Sequence, residues 1–451
     1  MKTAAALLLA SLSMSSALLA ENWPNWRGPN QDGSTTEAGL PVKFSTTENV
    51  KWSAPIPGIS ASVPVVFGDN VFLTAPIVED KTLVGLCYNA KTGKEKWRAV
   101  ICEESQVQWD DKSNLASPSA ATDGDRVYFL FANAVAAAYD FNGKQVWRRD
   151  FKETHGAFGT QWTYGSSPTL DNNKLYIQVL QRDAPFEFQG FPKGTEGKSM
   201  ASYILALDPA TGKDIWKQTR PTNAQVESLE AFSSPVFTTH KGRRLMLISG
   251  GDTMTIHDAE TGKELSRLAT WNIPGDGYNK FFRLVPSPVV GEGIALVCAP
   301  KNSPIFAMSL DSQGEVQPLW QTNPKEVTSD VPTPAFANGK FYVLDGGRRT
   351  VSCLDKTGKV LWTGETGSKA KFESSPTVAD GKVYCTNFWG EVYVIDANAD
   401  HFELLSVNEM GNGSKPNGNA ASVRASVAVS GGSLFIRTQD TLYCLSTATA
   451  Q

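Results

Sequence analysis

Along most of the chain apolar and polar residues alternate in short runs, and the runs break at glycine or asparagine turns. A period of two marks half-buried strands, and no stretch sustains the 3.6-residue period of a helix. The runs group into a recurring phrase: Ser-Pro, an alternating run, a Gly or Asn turn, a second run, then Leu-Asp-x-x-Thr-Gly-Lys-x-x-Trp. The second copy carries Ser117-Pro118, Asn142-Gly143-Lys144 and Trp147, and the third carries Ser167-Pro168, Leu207-Asp208, Thr211-Gly212-Lys213 and Trp216. The fourth keeps Ser234-Pro235 and Thr261-Gly262-Lys263 but has no Trp at the expected place, and the seventh degenerates after Ile395-Asp396. The glycine of each turn supplies a left-handed backbone position for a hairpin.

From Pro64 to Val427 the phrase repeats with a period of about 52 residues, the size of a four-stranded propeller blade with its loops. The pattern therefore predicts an all-β fold: an eight-bladed β-propeller of four-stranded antiparallel blades. The eighth copy stops at Tyr443-Cys444-Leu445, one strand short, while Val50-Lys51-Trp52 stands alone before the first. Asn49 to Ile56 is expected to supply the outer strand of the last blade, which closes the ring and removes open sheet edges.

The Leu-Asp-x-x-Thr-Gly-Lys-x-x-Trp phrase resembles the tryptophan-docking repeat of the pyrroloquinoline-quinone-like propeller family, and the likeness covers nearly the whole mature chain. The opening Trp23-Pro24-Asn25-Trp26-Arg27-Gly28-Pro29 is similar to the start of secreted members of unassigned function. The resemblance implies that Trp97, Trp147, Trp216, Trp320 and Trp362 stack between blades as structural rivets. Trp23, outside the repeats, is expected to matter less to stability than Trp147. The family includes quinone-dependent alcohol dehydrogenases, which hold pyrroloquinoline quinone and calcium in the central funnel, and a non-catalytic lipoprotein scaffold of the outer-membrane assembly machinery. The sequence departs from both: no two of its six Cys are adjacent, and none lies where a lipid anchor would need it.

Composition narrows the picture. With 41% hydrophobic and 20% charged residues, the chain is expected to bury a large core. Lys2, the apolar run from Ala4 to Leu12 and small residues up to Ala20 read as a signal peptide over residues 1–20, leaving 21–451 as a single propeller domain, periplasmic or extracellular and not a lipoprotein. No later stretch is long enough for an integral membrane segment. A net charge of −4 argues against nucleic acid as a partner. The partner is expected to be an unidentified protein or a small polar ligand, and the chain a monomer. Cys87, Cys353 and Cys444 share a repeat slot that holds Ala206 in the third copy, so they read as small buried residues, with at least one disulfide as the alternative.

Innermost strands begin at the funnel mouth, so residues just upstream of each Ser-Pro are ligand candidates. These are Asn114, Tyr164, Glu230, Arg283, Asp330, Glu373 and Arg424. Three acids and two arginines from different blades suggest a polar-ligand or cation site, against a ring of mutually paired charges. His155 is a candidate funnel residue, and the insertion from Ala184 to Met200 a candidate cap. No catalytic residue is assigned and no metal-ligand motif is found. The expected function is a non-catalytic binding or protein-interaction scaffold with no required cofactor. The alternative is a quinone-dependent dehydrogenase using pyrroloquinoline quinone with calcium.

Overall fold

The computed structural model describes residues 21–104, 113–182, 200–411 and 422–447. The expected signal peptide and all of the Ala184–Met200 insertion except Met200 lie outside them. Eight antiparallel sheets form the blades of a propeller. The first runs outward through Val65–Phe67, Asn70–Ile77, Thr82–Asn89 and Glu95–Glu103. The eighth has Ala428–Ser430, Ser433–Arg437 and Thr441–Leu445, with Val50–Pro55 as its outer strand. Trp52 there pairs with Cys444. The ring thus closes as the sequence predicts. Arg437 of the eighth blade adds to the closure by donating to the carbonyls of Thr74 and Gly58 in the first, both at 2.8 Å.

The repeated Trp has a consistent place. On the outer strand it lies opposite the small residue of the neighbouring strand: Trp97 opposite Cys87, Trp147 opposite Ala138, Trp216 opposite Ala206, Trp362 opposite Cys353. A small partner leaves room for the indole to lean toward the next blade, which accounts for Cys and Ala sharing the slot. All six Cys are buried and unbridged. Each indole then meets the next blade's turn. Trp147 donates from Nε1 to the Pro209 carbonyl at 2.7 Å and covers Gly212, where a Cβ would lie 2.7 Å from the ring. Gly212 is thus required twice, by its φ of +68° and by the indole over it. Trp97, Trp216 and Trp320 repeat the arrangement onto Phe141, Glu260 and Lys356. Trp52 does the same onto Ala90, a sixth rivet that the repeat phrase does not include.

The exceptions fall where the phrase is broken. Trp362 faces Phe402 edge-on at 6.0 Å, and its Nε1 has no partner among the described residues, because the following turn is degenerate. In the fourth blade Ser266 stands near the missing Trp position and donates to the Gly314 carbonyl at 3.0 Å. Gly314–Val316 there pairs in parallel with Glu264–Leu268, giving that blade a fifth strand. Backbone pairing replaces the indole at this seam. Between the seventh and eighth blades the N-terminal segment takes over: Phe44 N donates to Asn408 at 2.9 Å, and the Tyr384 hydroxyl to the Pro41 carbonyl at 3.2 Å.

The segment before it crosses the centre of the ring. The backbone of Trp23 exchanges both hydrogen bonds with Val66. Pro24, Asp32 and Gly33 accept from the amides of Thr122, Phe336 and Val378, and the Gln31 side chain accepts from Phe237. These amides lie on innermost strands, where a propeller leaves an unpaired edge, and the segment satisfies five of them. Trp23 is fully buried, at 0% exposure. The expectation that Trp23 matters less than Trp147 does not agree with this burial: it belongs to a plug across the ring.

Candidate functional site

Above the plug the innermost strands are joined by a circular run of hydrogen bonds. In each blade the residue two places before the first strand is Ser or Thr, except for Val63 in the first. Its backbone N–H donates to the hydroxyl oxygen of the equivalent residue in the next blade. The run goes from Val63 N to Ser119 Oγ and ends with Ser375 N to Ser426 Oγ, seven bonds of 2.8 to 3.0 Å. It lacks only the eighth link, since Val63 has no hydroxyl to accept one. The Ser-Pro signature is thus explained: proline starts the strand, and the hydroxyl ties neighbouring blades around the axis.

All of these ring residues but Ser287 line a cavity of about 250 Å³ on the propeller axis. Trp26 is part of its lining, on the side of the plug. Beside Trp26, the fully buried Arg27 places its guanidinium 5.4 Å from the indole centroid and donates to the carbonyls of Pro376 at 2.9 Å and Pro334 at 2.7 Å. Burial lowers the Arg27 pKa to about 10, partly offset by Asp32, so it remains a cation at neutral pH. The walls add Trp162 and Phe232, and three charged residues: Arg283, Glu373 and Arg424.

Of the seven candidates, these last three line the cavity. Arg424 donates from Nε to Glu373 at 2.8 Å and lies over the Phe388 ring, 4.8 Å from its centroid. Arg283 Nε is 3.6 Å from Glu227. The other four are elsewhere. Glu230 is fully buried, paired with Arg182 and accepting from Gln161 N at 2.9 Å. Burial raises its pKa to about 7 against the opposing pull of Arg182. Tyr164 is buried in the core and donates to the Gln178 carbonyl at 2.6 Å. Asn114 is buried and donates to the Ile59 carbonyl at 2.6 Å. Asp330 accepts from Lys301 N at 2.9 Å. For three of the four the physical reason is alternation along the chain: Tyr164, Asp330 and Asn114 stand an odd number of residues before their strands, whereas Arg283, Glu373 and Arg424 stand an even number before theirs. Glu230, also an even number before its strand, is instead held by Arg182. In the second blade the ring residue is Ser119, two places beyond the Ser117-Pro118 used as its marker. Trp26, Phe232 and the hydroxyls themselves are the cavity residues that this reading missed.

His155 does not line the axial cavity. Its Nε2 lies 2.9 Å from Asp214, and Lys217 stands on its other nitrogen side at 3.4 Å, in a cleft along the outer strand of the third blade. His240 pairs with Asp311 at 2.9 Å, His401 with Asp400 at 2.9 Å, and His257 is buried.

A family model described as outer membrane protein assembly factor BamB matches residues 34–182 and 200–451. Polyvinylalcohol dehydrogenase from a Pseudomonas species is 24% identical over 347 residues, 66% of this chain and 50% of that protein, so the chain spans half the length of that relative. Among solved structures, quinohemoprotein alcohol dehydrogenase from Comamonas testosteroni superposes with a TM-score of 0.66 at 12% identity, over 95% of this chain and 81% of the other. BamB from Moraxella catarrhalis gives 0.59 at 11% identity, over 88% and 98%. At these identities the structural likeness carries the fold alone.

Proposed function

We propose, given that this chain belongs to the pyrroloquinoline-quinone-like propeller family whose model is described as outer membrane protein assembly factor BamB, that it is an exported, non-catalytic binding propeller. One observation carries the reading: the axial cavity is lined with hydroxyls and backed by the plug, and the acids that would serve a cation there are committed elsewhere. A calcium ion takes six to eight oxygen ligands, usually including several carboxylates. Glu373 is held by Arg424, Glu230 is buried against Arg182, and Asp330 caps a backbone amide. Among the described residues no group of three His, Cys, Asp or Glu side chains is close enough to hold a metal ion. The residues around the cavity therefore do not fit calcium with a bound quinone.

Export through residues 1–20 and action as a monomer go with this reading. Among the described residues no helix is long and apolar enough to cross a membrane. The test is to add pyrroloquinoline quinone and calcium to the purified protein and to follow melting temperature and dye reduction with primary alcohols. A ligand that binds the folded state must raise its stability by mass action. The expected result is no calcium-dependent rise and no turnover. Alcohol-dependent dye reduction would replace this reading with that of a quinone-dependent dehydrogenase.

A further inference from the structure

The cleft beside His155 has a volume of about 340 Å³ and shares no lining residue with the axial cavity. One wall is the segment that follows the second blade, with Lys152, Glu153 and His155. The other is the outer half of the third blade, with Tyr203, Lys217 and Thr219. His155 is fixed from one side. The Asp214 carboxylate only accepts, so Nε2 carries the proton of their 2.9 Å contact, and Arg149 pairs with the other carboxylate oxygen. Nδ1 is left facing the Lys217 ammonium at 3.4 Å. Burial, against the pull of Asp214 and helped by the charge of Lys217, holds the His155 pKa below 6.5, so the ring is neutral at neutral pH.

The two nitrogens are spaced to share an oxygen. One oxygen about 2.8 Å from each, the length of a charge-assisted hydrogen bond, spans their 3.4 Å gap. Lys217 lies 4.1 Å from the Tyr203 ring centroid and forms an ion pair with no carboxylate among the described residues. Tyr203 is only 3% exposed, yet it lines the cleft, and no described residue accepts the proton of its hydroxyl. Two lysines stand against one carboxylate, Glu153. Donors from several sides suit an anion with three terminal oxygens and close to two charges better than a flat carboxylate. We infer that the cleft binds the phosphate of a small phosphomonoester, with one phosphate oxygen between His155 Nδ1 and Lys217 Nζ. The cleft is larger than a phosphate group, which leaves space for the esterified body. The inference goes beyond the binding reading above and does not depend on it. To bond the oxygen, Nδ1 must also carry a proton, so His155 takes one up from solution on binding. The charges then facing it are Asp214, Arg149, Lys217, Lys152 and Glu153. Arg149 already matches Asp214, so the phosphate supplies the counter-charge for the imidazolium and Lys217.

The first probe is inorganic sulfate, a dianion that does not titrate near neutral pH, so any pH dependence comes from the protein. A group that holds its proton more tightly in the complex makes affinity rise as pH falls. Calorimetry from pH 8 down to 6.5 should show sulfate affinity rising by up to about tenfold per pH unit, with uptake of about one proton per anion in buffers of different ionisation enthalpy. His155→Gln should abolish both the rise and the uptake. Lys217→Ala, at an exposed position, should weaken sulfate about tenfold. At pH 7.5 methyl phosphate, mostly a dianion, should bind more tightly than methyl sulfate, a monoanion of the same shape. No binding of sulfate or methyl phosphate up to about 50 mM, an affinity that is flat with pH, or a pH dependence that survives His155→Gln would each overturn the site. So would unchanged affinity in Lys217→Ala, or methyl sulfate bound as well as methyl phosphate. Those results leave the non-catalytic reading standing, and alcohol oxidation with quinone and calcium would overturn that reading without touching this cleft.

Discussion

Trp52 donates from its indole nitrogen to the carbonyl of Ala90 at 2.9 Å, and with that bond the last blade is riveted to the first. The two residues are 38 apart in sequence, yet Trp52 belongs to the sheet that ends with Thr441–Leu445. Trp52→Ala removes an indole that is 8% exposed, and such truncations cost about 3–5 kcal/mol. Denaturant unfolding should show Trp52→Ala and Trp147→Ala destabilised to a similar degree. If Trp52→Ala unfolds like wild type, the closure does not depend on this rivet.

Trp23→Ala is expected to be as damaging as Trp147→Ala. The side chain is fully buried, and its backbone bridges to Val66 on an innermost strand. The measurement is again the denaturant midpoint. A loss under about 1 kcal/mol, the range of exposed substitutions, would mean that the plug contributes little to the folded state.

Acid should destabilise the protein through His257. Arg220 Nε donates to Thr255 Oγ1 at 2.9 Å, Thr255 lies 2.8 Å from His257 Nε2, and His257 Nδ1 lies 3.0 Å from the Gly262 carbonyl. These partners suit a neutral ring that donates at Nδ1 and accepts at Nε2. Burial, then the nearby Arg220 charge, lowers its pKa from 6.5 to about 4. A depressed histidine pKa means that the unfolded chain binds the proton more tightly. The stabilisation is therefore full above about pH 6.5 and is lost as pH falls toward 4, on the order of 3 kcal/mol in all. His257→Gln should flatten the stability profile in that window, and an unchanged profile would show that other groups set it.

All six thiols should titrate as free under denaturing, non-reducing conditions, since every Cys is buried and unbridged. In the native state they should react slowly. Burial pushes Cys87 and Cys385 up to about 12 and Cys353 and Cys444 up to about 11, leaving almost no thiolate at neutral pH. Fewer than six free thiols, with a bridge found by mass spectrometry, would contradict this.

The blades were legible because each repeats both halves of one contact, the Trp and the glycine turn that receives it. Even the defects were readable: the missing Trp of the fourth copy and the degenerate seventh are the two seams where Ser266 and the Leu40–Phe44 segment do the joining. The site was legible in part. Counting upstream from Ser-Pro found Arg283, Glu373 and Arg424, but without a fixed strand register it could not separate them from Tyr164 and Asp330, whose side chains turn the other way. In the second blade the Ser-Pro pair, Ser117-Pro118, lies two residues ahead of the ring residue Ser119, which placed Asn114 wrongly. The plug was not legible, because residues 23–33 have no period and take their conformation from five inner strands far away in sequence. The density of large side chains there, with Trp23, Trp26 and Arg27 in five residues, was the available signal.

The pairing of Val50–Pro55 with Thr441–Leu445 also sets a timetable. A ribosome releases the inner edge of the first blade, and the segment that covers it, long before the strand that must finish the last blade. Until that strand emerges, Val50–Pro55 has no neighbour and the first blade waits beside an unfinished arc. Contacts of such long sequence separation form slowly and leave sheet edges exposed meanwhile. The molecule cannot mature module by module: its earliest strand is among the last to find its place, and any holdup in synthesis prolongs the interval in which the arc can pair with another chain.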